Sequence, residues 1–159
     1  MTVVIGVGNP DRGDDGAGRA VARRLRGLSP PGVEVRECEG EATSLIAAWE
    51  GADEVVLVDA CRGAGAPGTV HRLDPEALGS LESLRHASTH SFGVAAAVGL
   101  SRVLGWLPPR LVIYAIEGHC FREGGGLSPE ADRAANEVAA LLVRQTSPPP
   151  RRGGAPAKG

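Results

Sequence analysis

The sequence predicts an open α/β fold on a mainly parallel sheet, and three observations carry that prediction. Apolar runs of strand length alternate with amphipathic helical stretches from Thr2 to Ala60. Strand–helix–strand–helix–strand order implies parallel pairing through right-handed crossovers. One connection, Cys61 to Pro67, is too short for a parallel crossover, so the strand after it is expected to run antiparallel to the third.

Thr2 to Val7 is apolar almost throughout, the pattern of a strand buried on both faces. From Asp15 to about Leu28 the spacing becomes helical, with Ala17, Ala20, Val21, Leu25 and Leu28 on one face and the arginines largely off it. Ser29-Pro30-Pro31-Gly32 stops that helix, and Val33 to Cys38 reads as the second strand. Thr43 is placed to cap a helix through Glu50, with Leu45, Ile46 and Trp49 inward. After the turn Gly51-Ala52-Asp53, Glu54 to Ala60 forms the third strand and contains Asp59. Gly68 to Leu73 is the antiparallel strand. A looser segment, Asp74 to Ala87, includes a short helical pattern near Glu76 to Leu81. Ser88-Thr89-His90-Ser91 leads into an apolar helix, Phe92 to Leu104, and Arg110 to Ile116 is the last strand. The polar loop Glu117 to Leu127 follows. Ser128-Pro129 then starts a closing helix to about Gln145, with Ala134, Val138, Leu141 and Leu142 inward.

The chain has 159 residues, of which 42% are hydrophobic, which suits one domain with a core of Val, Leu, Ile and Ala. Residues 1–146 are expected to form that single domain. From Ser147 onward large apolar residues are lacking, and residues 147–159 read as a disordered tail. A formal charge of -2 gives no long-range attraction for nucleic acid or an anionic membrane. Three cysteines without Cys-x-x-Cys spacing, no apolar leader and no membrane-length run make a soluble cytoplasmic protein the expectation.

Chemistry concentrates first in Gly6-Val7-Gly8-Asn9-Pro10-Asp11-Arg12-Gly13-Asp14-Asp15-Gly16. A dinucleotide fingerprint starting at Gly6 needs glycine where Asp11 stands, and no Gly-x-x-x-x-Gly-Lys-Ser/Thr occurs. Three aspartates against Arg12 would repel a pyrophosphate; a cation, a proton or an amine suits them better. Asp14 and Asp15 also sit where acidic residues favour a helix dipole. Topology carries Asp15, Asp59 and His90 to the carboxyl edge of the sheet. Two carboxylates and an imidazole there make a three-ligand site for a borderline divalent ion such as zinc or nickel. His119-Cys120 and Cys61 are weaker candidates, read first as structural. Ser88 and Ser91 lack a Gly-x-Ser-x-Gly elbow, and His71 and His86 read as ordinary strand and loop residues.

The opening loop, Val58-Asp59-Ala60, Ser88-Thr89-His90-Ser91 and Gly126-Leu127-Ser128-Pro129, in that order, closely resemble the hydrogenase maturation protease family. The resemblance covers about residues 3–143. It implies a three-layer α/β/α sandwich of the phosphorylase/hydrolase-like kind, with a mixed five-stranded sheet and one antiparallel strand. It implies nickel ligation by Asp15, Asp59 and His90, which are also the candidate catalytic residues. Members often carry Glu at the first of these, so Asp15 is a shorter variant, with Asp14 beside it as the alternative ligand. The loop after strand two often contains Asp-Gly-Gly; here it reads Glu39-Gly40-Glu41.

The implied activity is endopeptidase removal of a C-terminal extension from a nickel–iron hydrogenase large-subunit precursor after nickel insertion. Nickel would arrive on the precursor rather than be held permanently, and the protease would act as a monomer. Two alternatives stand beside it. Peptidyl-tRNA hydrolases also open with Gly-x-Gly-Asn-Pro, but their Thr-Arg-His-Asn stretch and a basic groove are missing here. A nickel-checking chaperone would bind the same precursor without cutting it.

Overall fold

The computed structural model describes residues 1–63, 65–76 and 89–147, with side chains for all but residues 89–92. The short helical pattern expected up to Leu81, His86, Ser88, the side chains of His90 and Ser91, and nearly all of the tail lie outside the described residues. Five strands are formed: β1 (Thr2–Val7), β2 (Val33–Cys38), β3 (Glu54–Cys61), β4 (Val70–Leu73) and β5 (Arg110–Glu117). Among the described residues four α-helices accompany them: α1 (Ala17–Leu28), α2 (Ala42–Trp49), α3 (Thr89–Leu104) and α4 (Pro129–Thr146).

The sheet order is β2-β1-β3-β5-β4. All pairings are parallel except β4 with β5. β4 therefore runs antiparallel to β3, as its short connection requires, but its neighbour is β5, which enters between them. From β1 the chain steps outward to β2 and then returns past β1 to β3. The gap between the carboxyl ends of β1 and β3 is thus the point where connections diverge, the place where open α/β sheets bind ligands.

Alternation along the strands divides the core into two layers. Val3, Ile5, Val7, Val55, Leu57, Leu111 and Ile113 pack with Leu45 and Trp49 of α2 and Val94, Ala97 and Val98 of α3. Val4, Val56, Val58, Tyr114 and Ile116 face Val21 and Leu25 of α1 and Ala134, Ala135, Val138 and Leu142 of α4. The result is the expected three-layer α/β/α sandwich.

Local starts and stops differ slightly from the sequence pattern. Gly13–Gly16 is a separate turn of 3-10 helix, and α1 begins only at Ala17. Leu28 is exposed because the chain turns away at Ser29, which closes α1 in a left-handed conformation with φ 45°. Glu41, not Thr43, precedes α2, and it caps without a side-chain hydrogen bond. Ser128 does cap α4, its hydroxyl accepting from the Ala131 N–H at 3.3 Å.

Gly18 shows how closely α1 is pressed on the sheet. A Cβ at that position would lie 2.1 Å from the Val58 carbonyl oxygen and 2.5 Å from that of Val7. Gly27, in the same helix, would meet nothing within 4 Å. Gly18→Ala should therefore destabilise the protein by about 1–3 kcal/mol or more through overpacking. Gly27→Ala should be neutral or stabilise by up to about 1 kcal/mol through helix propensity. Urea denaturation of the two variants checks both signs.

Candidate functional site

Asp14 and Asp15 are both buried within the 3-10 turn, and their carboxylates do different things. Asp14 is fully buried and accepts four hydrogen bonds. The donors are the N–H groups of His119 (2.7 Å), Cys120 (3.1 Å) and Ser128 (2.7 Å), and the Ser128 hydroxyl (2.7 Å). Burial alone would raise its pKa; the bonds from His119, Ser128 and Cys120 outweigh that and hold it below the usual aspartate range. Backbone bonds continue the join: Asp14 N–H to Cys120 O, Gly13 N–H to Gly125 O, and Gly124 N–H to Asp11 O. The loop after β1 is thereby sewn to the loop after β5. His119 and Cys120 contribute backbone donors to this join, in keeping with their structural reading.

Asp15 has a different partner. It is 3% exposed, and its Oδ2 accepts from the Asn9 N–H at 3.2 Å. Asp59, near the end of β3, is 4% exposed, with Oδ1 accepting from the Ala60 N–H at 2.8 Å. Gly8 lies between the two. Its φ of 133° belongs to glycine, and a Cβ there would sit 2.0 Å from the Asp15 carbonyl oxygen and 3.9 Å from Asp59 Oδ1. The missing side chain lets both acidic residues close on one point between β1 and β3. Gly8 is braced in turn by Arg19, which donates to its carbonyl at 3.3 Å and to Glu37 at 2.7 Å. Glu37 also pairs with Arg23 and Arg26. Its burial is outweighed by the bonds from Arg19 and Arg26, so its pKa falls to about 2.

The backbone of His90 lies in the first turn of α3. Gly93, three residues on, presses against the loop after β2, where a Cβ would come within 1.8 Å of the Gly40 carbonyl oxygen. The start of α3 is therefore held at the carboxyl edge of the sheet. Asp15 and Asp59 are brought together, and the residue carrying His90 is delivered to the same edge. Two buried carboxylates at a strand-end crevice fit a divalent cation in charge and in donor chemistry. An apolar groove walled by Ile46, Trp49, Leu100, Trp106 and Leu107 includes none of these residues.

Two features escaped the sequence reading. One is the Asp14 clamp, whose partners are 105 or more residues away. The other is a group at the ends of β3, β4 and β5, in which Cys61, His71 and Glu117 place their ligand atoms within 4.8 Å of one another. His71 is thus more than an ordinary strand residue: its Nε2 lies 3.1 Å from Glu117 Oε1. The Cys61 thiol is pushed up by burial first, then by the charge and hydrogen bond of Glu117 and the charge of Asp59. That holds it in the thiol form and argues against a nucleophilic role.

Residues 20–145 match the family described as HycI, hydrogenase maturation protease. The chain belongs to this hydrogenase maturation protease family. The matched region includes Asp59 and His90 and begins just after Asp15. No curated protein is similar enough in sequence to match. Among solved structures, the maturation protease HycI from Thermococcus kodakarensis KOD1 is 28% identical with TM-score 0.69, over 91% of this chain and 90% of that one. The maturating endopeptidase HybD from E. coli is 24% identical with TM-score 0.70, over 91% and 93%. An endopeptidase from E. coli, solved in solution, is 23% identical with TM-score 0.75, over 91% and 94%. The latter two likenesses concern the fold. Membership in a protease family sets the peptidyl-tRNA hydrolase alternative aside. No helix among the described residues is long and apolar enough to cross a membrane.

Asp14→Ala should cost at least about 3 kcal/mol, because it strands several buried donors, whereas Asp15→Asn should cost under about 1 kcal/mol. The pH dependence has a definite sign. Asp14 is lowered in the fold, so its contribution is present at neutral pH and is lost as pH falls from about 4, the unfolded value, through the lower native one. Denaturation midpoints from pH 7 to 2 should show a shallower acid loss in Asp14→Asn than in the parent.

Proposed function

We propose that this maturation protease removes the C-terminal extension of a nickel–iron hydrogenase large-subunit precursor once nickel is in place. The observation that carries the reading is the approach of two buried residues to Gly8 at the diverging point of the sheet, Asp15 by its main-chain carbonyl and Asp59 by its carboxylate. Asp15, Asp59 and His90 would hold nickel that the precursor presents, so the precursor's metal serves as part of the substrate. Binding is then favourable only for the loaded precursor, because an empty one brings no ion for Asp15, Asp59 and His90 to ligate.

Division of labour between neighbouring aspartates supports Asp15 as the ligand. Asp14 has both oxygens committed to four donors, and drawing it toward a metal would break the join between two loops. Asp15 accepts one bond from the Asn9 N–H of the adjoining turn and is not part of that join. The Asn9-Pro10 turn holds this carboxylate, Gly8 excludes a side chain that would occupy the gap, and the Arg19–Glu37 pair steadies Gly8. When bound, the ion supplies Lewis acidity near the scissile carbonyl.

The test is the intact mass of nickel-loaded and nickel-free precursor after incubation with the protein. Loss of a C-terminal peptide from the loaded form alone is the expected result. Asp15→Asn and His90→Ala should slow cleavage at least about 100-fold with unchanged circular dichroism. Stable binding of loaded precursor without any shortening would replace this reading with the chaperone; normal cleavage by both variants would remove the three residues from it.

A further inference from the structure

We propose that Cys61, His71 and Glu117 form a second metal site, adjoining the Asp15–Asp59 crevice but sharing no ligand with it, that takes a zinc-class divalent ion in tetrahedral coordination. The three residues stand on adjacent strands in the order β3, β5, β4, with Glu117 in the middle. Cys61 and Glu117 are direct partners in the parallel register, and His71 pairs with Ala115, two residues before Glu117. Alternation puts all three side chains on one sheet face, the face that also carries Leu57, Ile113 and Leu73. Their backbone is fixed on every side. Gly118 N–H donates to Cys61 O at 2.9 Å, Glu117 N–H to Thr69 O at 2.9 Å, and Gly68 N–H to Glu117 O at 2.8 Å.

The donor set is one soft thiol, one borderline imidazole and one hard carboxylate, and the sulfur and nitrogen donors select zinc over magnesium or calcium. Three protein ligands leave the fourth tetrahedral position to water or an incoming group. Ligand atoms around tetrahedral zinc lie about 3.4–3.8 Å apart, so a group already within 4.8 Å needs a contraction of about 1 Å. Rotation of the Cys61 and Glu117 side chains on that fixed backbone can supply it without unpairing the sheet. On binding, the S–H bond breaks, its proton leaves to solvent, and the electron pair left on sulfur forms the bond to the ion. One thiolate and one carboxylate then neutralise the two positive charges, which suits a place where Glu117 is 1% exposed. Solvent reaches the site past His71, whose side chain is 28% exposed.

Cobalt(II) is the probe, because a thiolate ligand gives it a near-ultraviolet charge-transfer band and tetrahedral geometry an intense visible spectrum. The parent protein should bind one equivalent with both signatures, and zinc should displace it. Asp15→Asn should keep the band, since that residue belongs to the other site. Cys61→Ser should abolish the band, and His71→Ala should weaken binding at least about tenfold. Circular dichroism verifies that each variant folds, and His71→Ala decides alone if Cys61→Ser does not. Failure to bind cobalt, binding without the thiolate band, a band that survives Cys61→Ser, or an affinity unmoved by His71→Ala would each overturn the proposal.

Discussion

The carboxylate of Asp14 is the constraint on which the working edge depends. An α/β sheet of this order leaves its strand-end loops as separate excursions, each with backbone groups to satisfy. Asp14 resolves several of those demands at one point: it accepts from the backbone of His119, Cys120 and Ser128, and from the hydroxyl that also caps α4. A buried carboxylate is tolerable only when its charge is met by well-directed donors, and here there are four. Because Asp14 is locked, the following residue is aimed with little freedom. Asp15, the next residue of the same turn, is fixed in place with it.

Much of this was legible in the sequence, and the reasons are physical. Strand and helix periods in residues 2–60 expose the parallel half of the sheet, because burial on both faces enforces continuous apolar runs and burial on one face enforces a stripe. The connection of Cys61 to Pro67 is short enough to demand an antiparallel step. It could not reveal that β5 would insert between β3 and β4, since strand order depends on a crossover whose length permits either side. Asp15 and Asp59 were legible from topology, which carries strand ends to a common edge whatever their chemistry. The role of Asp14 was not, because its donors are backbone amides, and any residue type can supply those. Cys61, His71 and Glu117 were hidden for a related reason: their proximity follows from the register of three strands, which local spacing does not encode.

The crevice is shaped as much by absent side chains as by present ones. Gly18 allows α1 to lie on the ends of β1 and β3, and Gly8 allows two acidic residues to share a wall. Around them the protein places an arginine–glutamate group that answers its own charge. Glu37 is matched by Arg19, Arg23 and Arg26, and only Arg19 extends to the crevice backbone. Positive charge is thus used to stiffen the rim while the carboxylates keep a field suited to cations.

The join between residues 11–14 and residues 118–128 also sets an order of events during synthesis. The loop after β1 leaves the ribosome early, yet the amides that Asp14 needs are more than a hundred residues behind it. Until they emerge, the first loop has no means of taking its final shape, even if β1, β2 and β3 have already paired. The join made by Asp14 is therefore among the last parts of the molecule to form. A nascent or truncated chain carries Asp14 but not the amides that hold it.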